Sequence, residues 1–179
     1  GPLDMRMNTA GGETAAEWLA HVEKVELVRV LRDFGEEKLA KMIAAKIIQY
    51  RTDNVLETTQ QLAEIVRSCY SPQYKGVHPA TRTFQAIRIH INQELDDLVQ
   101  GLNDAFELLA IGGRLAVISF HSLEDRIVKR FIRDTQVSHT PKHLPVIEQT
   151  TPYLKSVSKL VRPSDAECEE NPRARSGRL

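Results

Sequence analysis

What the sequence lacks narrows the field first. It holds 2 cysteines, Cys69 and Cys168. They lie far apart with no partner at metal-ligand spacing, so they read as reduced thiols of a cytoplasmic protein, not as a disulfide framework. No apolar run approaches the length of a bilayer-spanning helix, and no charged-then-apolar stretch marks a secretion signal, so no membrane partner is expected. An excess of charge is absent too: 24 basic residues meet 24 acidic ones. With no global field to draw in a polyanion, any contact with nucleic acid must come from a local patch. Aromatics are somewhat sparse, while the apolar fraction is ordinary for a globular chain. At 179 residues one domain with a sizeable core suffices, and nothing demands two. There is no internal repeat and no low-complexity tract.

What is present begins as helix. Residues 1–13 are a polar, Gly-rich loop. Thr14 and Glu17 then stand at capping-box spacing for a short helix running on from Ala15 to Leu19. Val25, Leu27, Val28 and Leu31 give a second helix its apolar face, with Gly35 as the stop. Glu36 and Glu37 open a third, acids at the positive end of its dipole. Along it Leu39, Met42, Ile43, Ile47 and Tyr50 recur at helical spacing. Thr58 or Thr59 caps a fourth that carries Leu62, Ile65, Val66 and Cys69. Ser71-Pro72 ends it, and Gly76 with Pro79 makes the next stretch a loop. Residues 1–80 therefore read as an all-helical region.

The pattern changes after Thr81. Phe84, Ile87, Ile91, Leu95, Leu98 and Leu102 recur at three and four up to Ala110, a run long for one globular helix, and Gly101 is its expected break. Ile111-Gly112-Gly113 turns the chain into Arg114–Phe120, whose continuous apolar, β-branched character predicts a buried parallel strand. Ser122 and Asp125 form a capping pair for a following helix with Leu123, Ile127, Val128, Phe131 and Ile132 on its apolar face. Residues 134–152 show no periodicity and are expected to be a flexible loop. Lys155–Val161 alternates like a strand, Pro163–Asn171 is an acidic loop or one-turn helix, and Arg173–Leu179 leads toward another strand.

Three constellations could carry chemistry. The first is Ser119-Phe120-His121-Ser122, where the expected strand ends and a helix opens. Its free backbone N–H groups and dipole suit an anionic or carbonyl ligand, and His121 can donate, accept or carry a proton near neutrality. The plainer alternative makes Ser122 an N-cap and His121 a polar turn residue. The second is the helix start His78, Thr81, Arg82, Gln85 and Arg88. Its arginines and glutamine share a face that could clamp phosphates or a base edge, or could be solvated and locally paired. The third is a basic stripe of Arg126, Lys129, Arg130 and Arg133, with Arg114 nearby. It could meet a phosphate backbone, lie solvated, or pair with the acidic stretch Asp165–Glu170. Arg173 and Arg175 add two further cations in an extended tail. His78 and His90 are too far apart for one helical turn, so no metal site is indicated. Gly112-Gly113 precedes the expected strand, the wrong place for a dinucleotide or adenosylmethionine loop. There is no Gly-x-Ser-x-Gly elbow.

Together the stretches GPLDMRM (1–7), AAEWL (15–19), FGEEKLAKMIA (34–44), HPATRTFQAIRI (78–89), GGRLAVISFHSLEDRIVKRF (112–131) and NPRARS (171–176) resemble the MraW, or RsmH, methyltransferases. They cover nearly the whole chain in the family's order, and HPATRTFQA and SFHSLEDRIVKRF are long and specific. The resemblance implies transfer of a methyl group from S-adenosylmethionine to N4 of a cytosine in small-subunit (16S) ribosomal RNA. It implies an α/β fold class: a helical substrate-recognition insert, residues 1–80, then the C-terminal strands and helices of a Rossmann-like class I methyltransferase, residues 81–179. The N-terminal half, which holds the cofactor loop in the family, is expected to be missing, and the chain to be inactive alone. By the same resemblance, Asp4 and Arg6 lie in a loop near the active site, and His78, Arg82, Gln85 and Arg88 on the insert's return toward the core. His121 or Ser119, with Ser122, would orient the cytosine amine. Arg126 and the other basic residues would hold RNA phosphates.

A strand at 114–120 with few neighbours should leave a sticky edge. A dimer, a swapped assembly or a partner supplying the missing half is therefore expected. The rival expectation, from another class, is a non-enzymatic RNA-binding or adaptor module, and a third is a helical scaffold with no binding role of its own.

Overall fold

The computed structural model describes residues 1–136 and 154–179. The chain divides into two units, Gly1–Glu94 and Leu95–Leu179. The expected loop at 134–152 lies mostly outside the described residues.

In the first unit local rules place most of the helices, and packing decides the exceptions. The N-terminal segment is tied down: Pro2 bridges to Thr58, the Leu3 N–H donates to the Glu57 carbonyl at 2.8 Å, and the Leu3 side chain is buried. Helix α1 (Ala15–His21) starts on the expected capping box. The Thr14 hydroxyl accepts from the Glu17 N–H at 3.2 Å, and the Glu17 carboxylate accepts from the Thr14 N–H at 2.8 Å. Helix α2 (Lys24–Asp33) buries Leu27, Val30 and Leu31. Val25, expected on that face, is 83% exposed. Positions 27, 30 and 31 stand three and four apart, and residue 25 lies two before 27, on the far side of the helix.

Gly35 ends α2 for a packing reason. A Cβ there would lie 2.6 Å from the Arg82 carbonyl oxygen and 2.8 Å from that of Leu31, so α2 and the helix that carries Arg82 could not approach as they do. The acids Glu36 and Glu37 do not open the third helix, which as α3 begins only at Ala40 and runs to Asp53. Glu36 is left-handed (φ 49°), which turns Glu37 inward to 2% exposure. A buried carboxylate must be hydrogen-bonded. Glu37 accepts from the Leu39 N–H at 2.9 Å and from the Tyr70 hydroxyl at 2.8 Å. Within α3 the stripe 40, 43, 44 and 47 is buried, and Met42 faces out.

Helix α4 (Thr59–Arg67) is capped by Thr58, whose box partner is Gln61, and stops short of Ser71-Pro72. Helix α5 (Thr81–Asn92) packs against α2 and α1. The break expected at Gly101 falls at Gln93, in the left-handed region at φ 52°, with Gly101 inside α6 (Glu94–Leu108). A left-handed residue satisfies a helix end at once, whereas a lone glycine inside a helix only weakens it.

In the second unit α6 and α7 (Ser122–Gln136) meet through Phe106 and Phe131, edge to face at 6.1 Å. A short helix α8 (Asp165–Glu170) is capped by Ser164, as the acidic stretch allows, and a 3₁₀ turn spans Pro172–Ser176. Here the strand expectations are not met: among the described residues no run forms a strand. The segment 114–120 is largely exposed, not buried, and pairs at Ser119, which exchanges two backbone hydrogen bonds with Arg178 (2.9 and 2.8 Å). Leu179 exchanges another pair with Val161 (2.9 and 3.1 Å). Both exchanges have the antiparallel form. A ladder needs partners along its length, and these segments meet at single residues.

Candidate functional site

The expected site residues fall into two groups, one in each unit. In the first unit, Asp4 and Arg6 form a two-pronged ion pair: Arg6 Nε to Asp4 Oδ1 at 2.7 Å, and Nη2 to Oδ2 at 2.9 Å. Arg6 Nη1 donates to the Gly12 carbonyl at 3.1 Å, folding the loop around the guanidinium. The Arg6 hydrogen bond holds the Asp4 carboxyl below its usual range. The loop also contains Met5 at φ 64°, which a non-glycine residue keeps only where its surroundings enforce it.

Helix α5 carries the next residues. His78 precedes it, its Nδ1 accepting from the Ala80 N–H at 3.3 Å and its carbonyl from the Thr81 N–H at 2.9 Å. Arg82 donates to the Glu36 carbonyl at 3.3 Å. Arg88 is gripped by Glu94 through both prongs, at 2.7 and 2.8 Å. Gln85 is half-buried between them in sequence. This face is thus partly engaged within the chain, as the locally paired alternative supposes. Asn92, which sequence reading did not single out, ties α5 to the loop through its side-chain amide.

In the second unit the start of α7 differs from expectation by one residue. Ser122 is its first residue, and the residue reaching back is Glu124, not Asp125. The Glu124 carboxylate accepts from the N–H groups of Phe120 (2.7 Å) and His121 (3.3 Å). The Glu124 N–H donates to His121 Nδ1 at 3.4 Å. His121 Nε2 is buried, lies 3.2 Å from Glu124 Oε1, and makes no well-aligned hydrogen bond among the described residues. Glu124 stands three residues after His121, so the box was legible, but counting from Ser122 misplaced it. Ser119 is buried, its hydroxyl 3.5 Å from the Arg178 carbonyl. Asp125 accepts from Lys129 Nζ and from Arg178 Nη1, each at 2.8 Å. Those hydrogen bonds, Lys129 first, hold its carboxyl below the usual range.

The basic stripe lies along one face of α7, where Ser122, Asp125, Arg126, Lys129, Arg130 and Arg133 bound a shallow, open groove. Lys129 is paired with Asp125, and Arg133 with Asp134. Arg130 has no ion-pair partner among the described residues. Within that set no helix is long and apolar enough to cross a membrane.

A model of the MraW methylase family matches residues 1–179, and the chain belongs to that family. Among curated proteins, the ribosomal RNA small subunit methyltransferase H of Coxiella burnetii (strain Dugway 5J108-111) is 49% identical over 180 residues, 100% of this chain and 59% of the relative. Proteins of the same name from Dechloromonas aromatica (strain RCB) and Nitrosospira multiformis are each 52% identical, over 98% of this chain and 58% of their own length. The chain thus spans less than three-fifths of these relatives.

Proposed function

We propose that this chain is part of a cytoplasmic enzyme that transfers a methyl group from S-adenosylmethionine to N4 of a cytosine in small-subunit ribosomal RNA. The observation that carries the proposal is a match along the whole chain, at about half identity, to relatives named as small-subunit rRNA methyltransferases. In this reading residues 1–80 recognise the substrate, and 81–179 contribute the C-terminal part of a Rossmann-like domain. The exposed segment 114–120 suits that role, since among the described residues the backbone groups of residues 114–118 have no partner and can join further strands.

The described residues do not fit an adenosylmethionine cradle. Gly112 and Gly113 follow a helix end and precede an extended segment, and no glycine-rich turn opens a helix. The cradle is assigned to the part of the relatives' length that this chain does not span, and no step is derived through the cofactor. The chain's own contribution is binding and orientation. Asp4, Arg6, His78, Arg82, Gln85 and Arg88 face the RNA from the first unit, and the α7 stripe with Arg126 holds phosphates. His121 or Ser119, with Ser122, orients the target amine.

The test is complementation. This chain, alone or mixed with the N-terminal part of the Coxiella relative, is incubated with small-subunit particles and labelled adenosylmethionine. Methyl transfer by the mixture alone is the expected result. RNA affinity without transfer in the mixture would overturn the enzyme reading in favour of a binding module.

A further inference from the structure

We infer that Asn92 is a positioning residue that sets the backbone of Arg6, and so the direction of the Asp4–Arg6 pair; this rests on the proposed role of that pair in substrate binding. Asn92 Oδ1 accepts from the Met7 N–H at 2.7 Å, and its Nδ2 donates to the Met5 carbonyl at 2.8 Å. These are the two backbone groups that flank Arg6. One side-chain amide therefore treats the loop as a neighbouring strand would, answering a donor and an acceptor 85 and 87 residues away in sequence.

Two further features make this more than a helix-end contact. Nδ2 also donates to the Arg88 carbonyl at 2.8 Å, one turn back on α5, which fixes the amide before it meets the loop. And Met5 is held at φ 64°, a conformation the loop would leave if the grip were released. Arg6 is nearly used up by Asp4 and the Gly11 and Gly12 carbonyls, at 3.4 and 3.1 Å for the latter two. It serves the loop as an internal brace, and the Asp4 carboxylate is the group whose aim the brace decides. Asparagine fits this place because its amide sets an acceptor oxygen beside a nitrogen with two donors, enough to meet the Met7 N–H, the Met5 carbonyl and the Arg88 carbonyl at once.

The experiment uses the full-length protein with Asn92→Ala and the isosteric Asn92→Asp, which keeps Oδ1 but sets a second acceptor against two carbonyls. Ile47→Val, fully buried in α3, controls for lowered stability. Both Asn92 variants should lose about tenfold or more in kcat/KM for methylation of small-subunit particles, because small misplacements at a site are costly. KM should rise, the Met7 amide should exchange faster, and Ile47→Val should keep its kcat/KM. Overturning results are a kcat/KM within twofold of wild type, a loss no larger than in Ile47→Val at matched thermal midpoint, or unchanged Met7 exchange. If the wild-type protein transfers no methyl group, the proposed function fails; the Met7 exchange still reads the grip itself.

Discussion

The two units treat the same kind of side chain in opposite ways. In the first, Leu19, Leu27, Leu31, Ile43, Ile47, Leu62 and Ile87 are fully buried around a bundle of five helices. In the second, Leu102 and Leu123 are buried, while Leu108, Ile111, Ile118, Phe120 and Val157 are more than half exposed. The difference is not a lack of apolar side chains, since 111–120 carries Ile111, Leu115, Val117, Ile118 and Phe120. It is one of closure: helices satisfy their own backbone, so five of them can bury apolar faces against one another, whereas an extended segment needs neighbours on its edges before its side chains can be covered.

The largest expected effect tests that contrast directly. Leu31→Ala removes a fully buried side chain and should cost about 2–5 kcal/mol in urea denaturation of the first unit. Phe120→Ala in the same chain should stay within about 0.5 kcal/mol, as exposed positions do. Similar costs at the two sites would erase the contrast. Its consequence for assembly is that the chain alone should self-associate through its exposed apolar edge, and that Ile118→Lys should weaken this in sedimentation. A wild-type chain that sediments as a well-folded monomer at all concentrations would argue against an open edge.

A smaller effect belongs to the buried Glu37. Burial, first, and the hydrogen bond to Glu37, second, push the Tyr70 hydroxyl well above its ordinary range, so it stays a donor throughout the working pH range. Tyr70→Phe removes that donor and leaves the Leu39 N–H on the carboxylate, at an expected cost of about 1–3 kcal/mol. Glu37→Gln together with Tyr70→Phe should recover part of it, measured as a double-mutant cycle.

How much of this was legible depended on whether a rule was local. The Thr14–Glu17 box, the Thr58 cap and the stripe Leu62, Ile65, Val66 follow from spacing within one helical turn, and they stand where expected. Gly35 was read as a stop, but its reason, the Arg82 carbonyl 47 residues on, is tertiary. Glu36 and Glu37 read as dipole acids because nothing local says that a left-handed residue will turn one of them into the core. In the site, the resemblance points to Asp4 and Arg6, which are joined, but not to Asn92, whose grip spans nearly the whole first unit in sequence. The strand expected at 114–120 rests on apolarity and β-branching within the segment itself. Apolarity predicts a need for cover, not the presence of a covering neighbour among these residues.

The smallest expected effect concerns His90, and its sign follows from its surroundings. The ring lies 4.4 Å from the Trp18 ring and 6.4 Å from that of Phe34. Burial lowers its pKa, with Glu26 and Glu13 pulling weakly the other way and Arg29 adding to the lowering. The folded chain therefore binds this proton less readily than the unfolded chain, whose histidine titrates near 6.5. Between the two values the unfolded state holds more protons, so stability is complete above about pH 6.5 and declines as the pH falls toward the folded value. His90→Gln should flatten that slope in urea midpoints taken from pH 7.5 to 5, while the acid-limb slope due to Asp125, whose carboxyl is also depressed, should persist at lower pH. An unchanged slope between pH 6.5 and 5 in the variant would mean that the ring is not held neutral between Trp18 and Phe34, and that α1 and α5 are less firmly closed than the rest of the bundle.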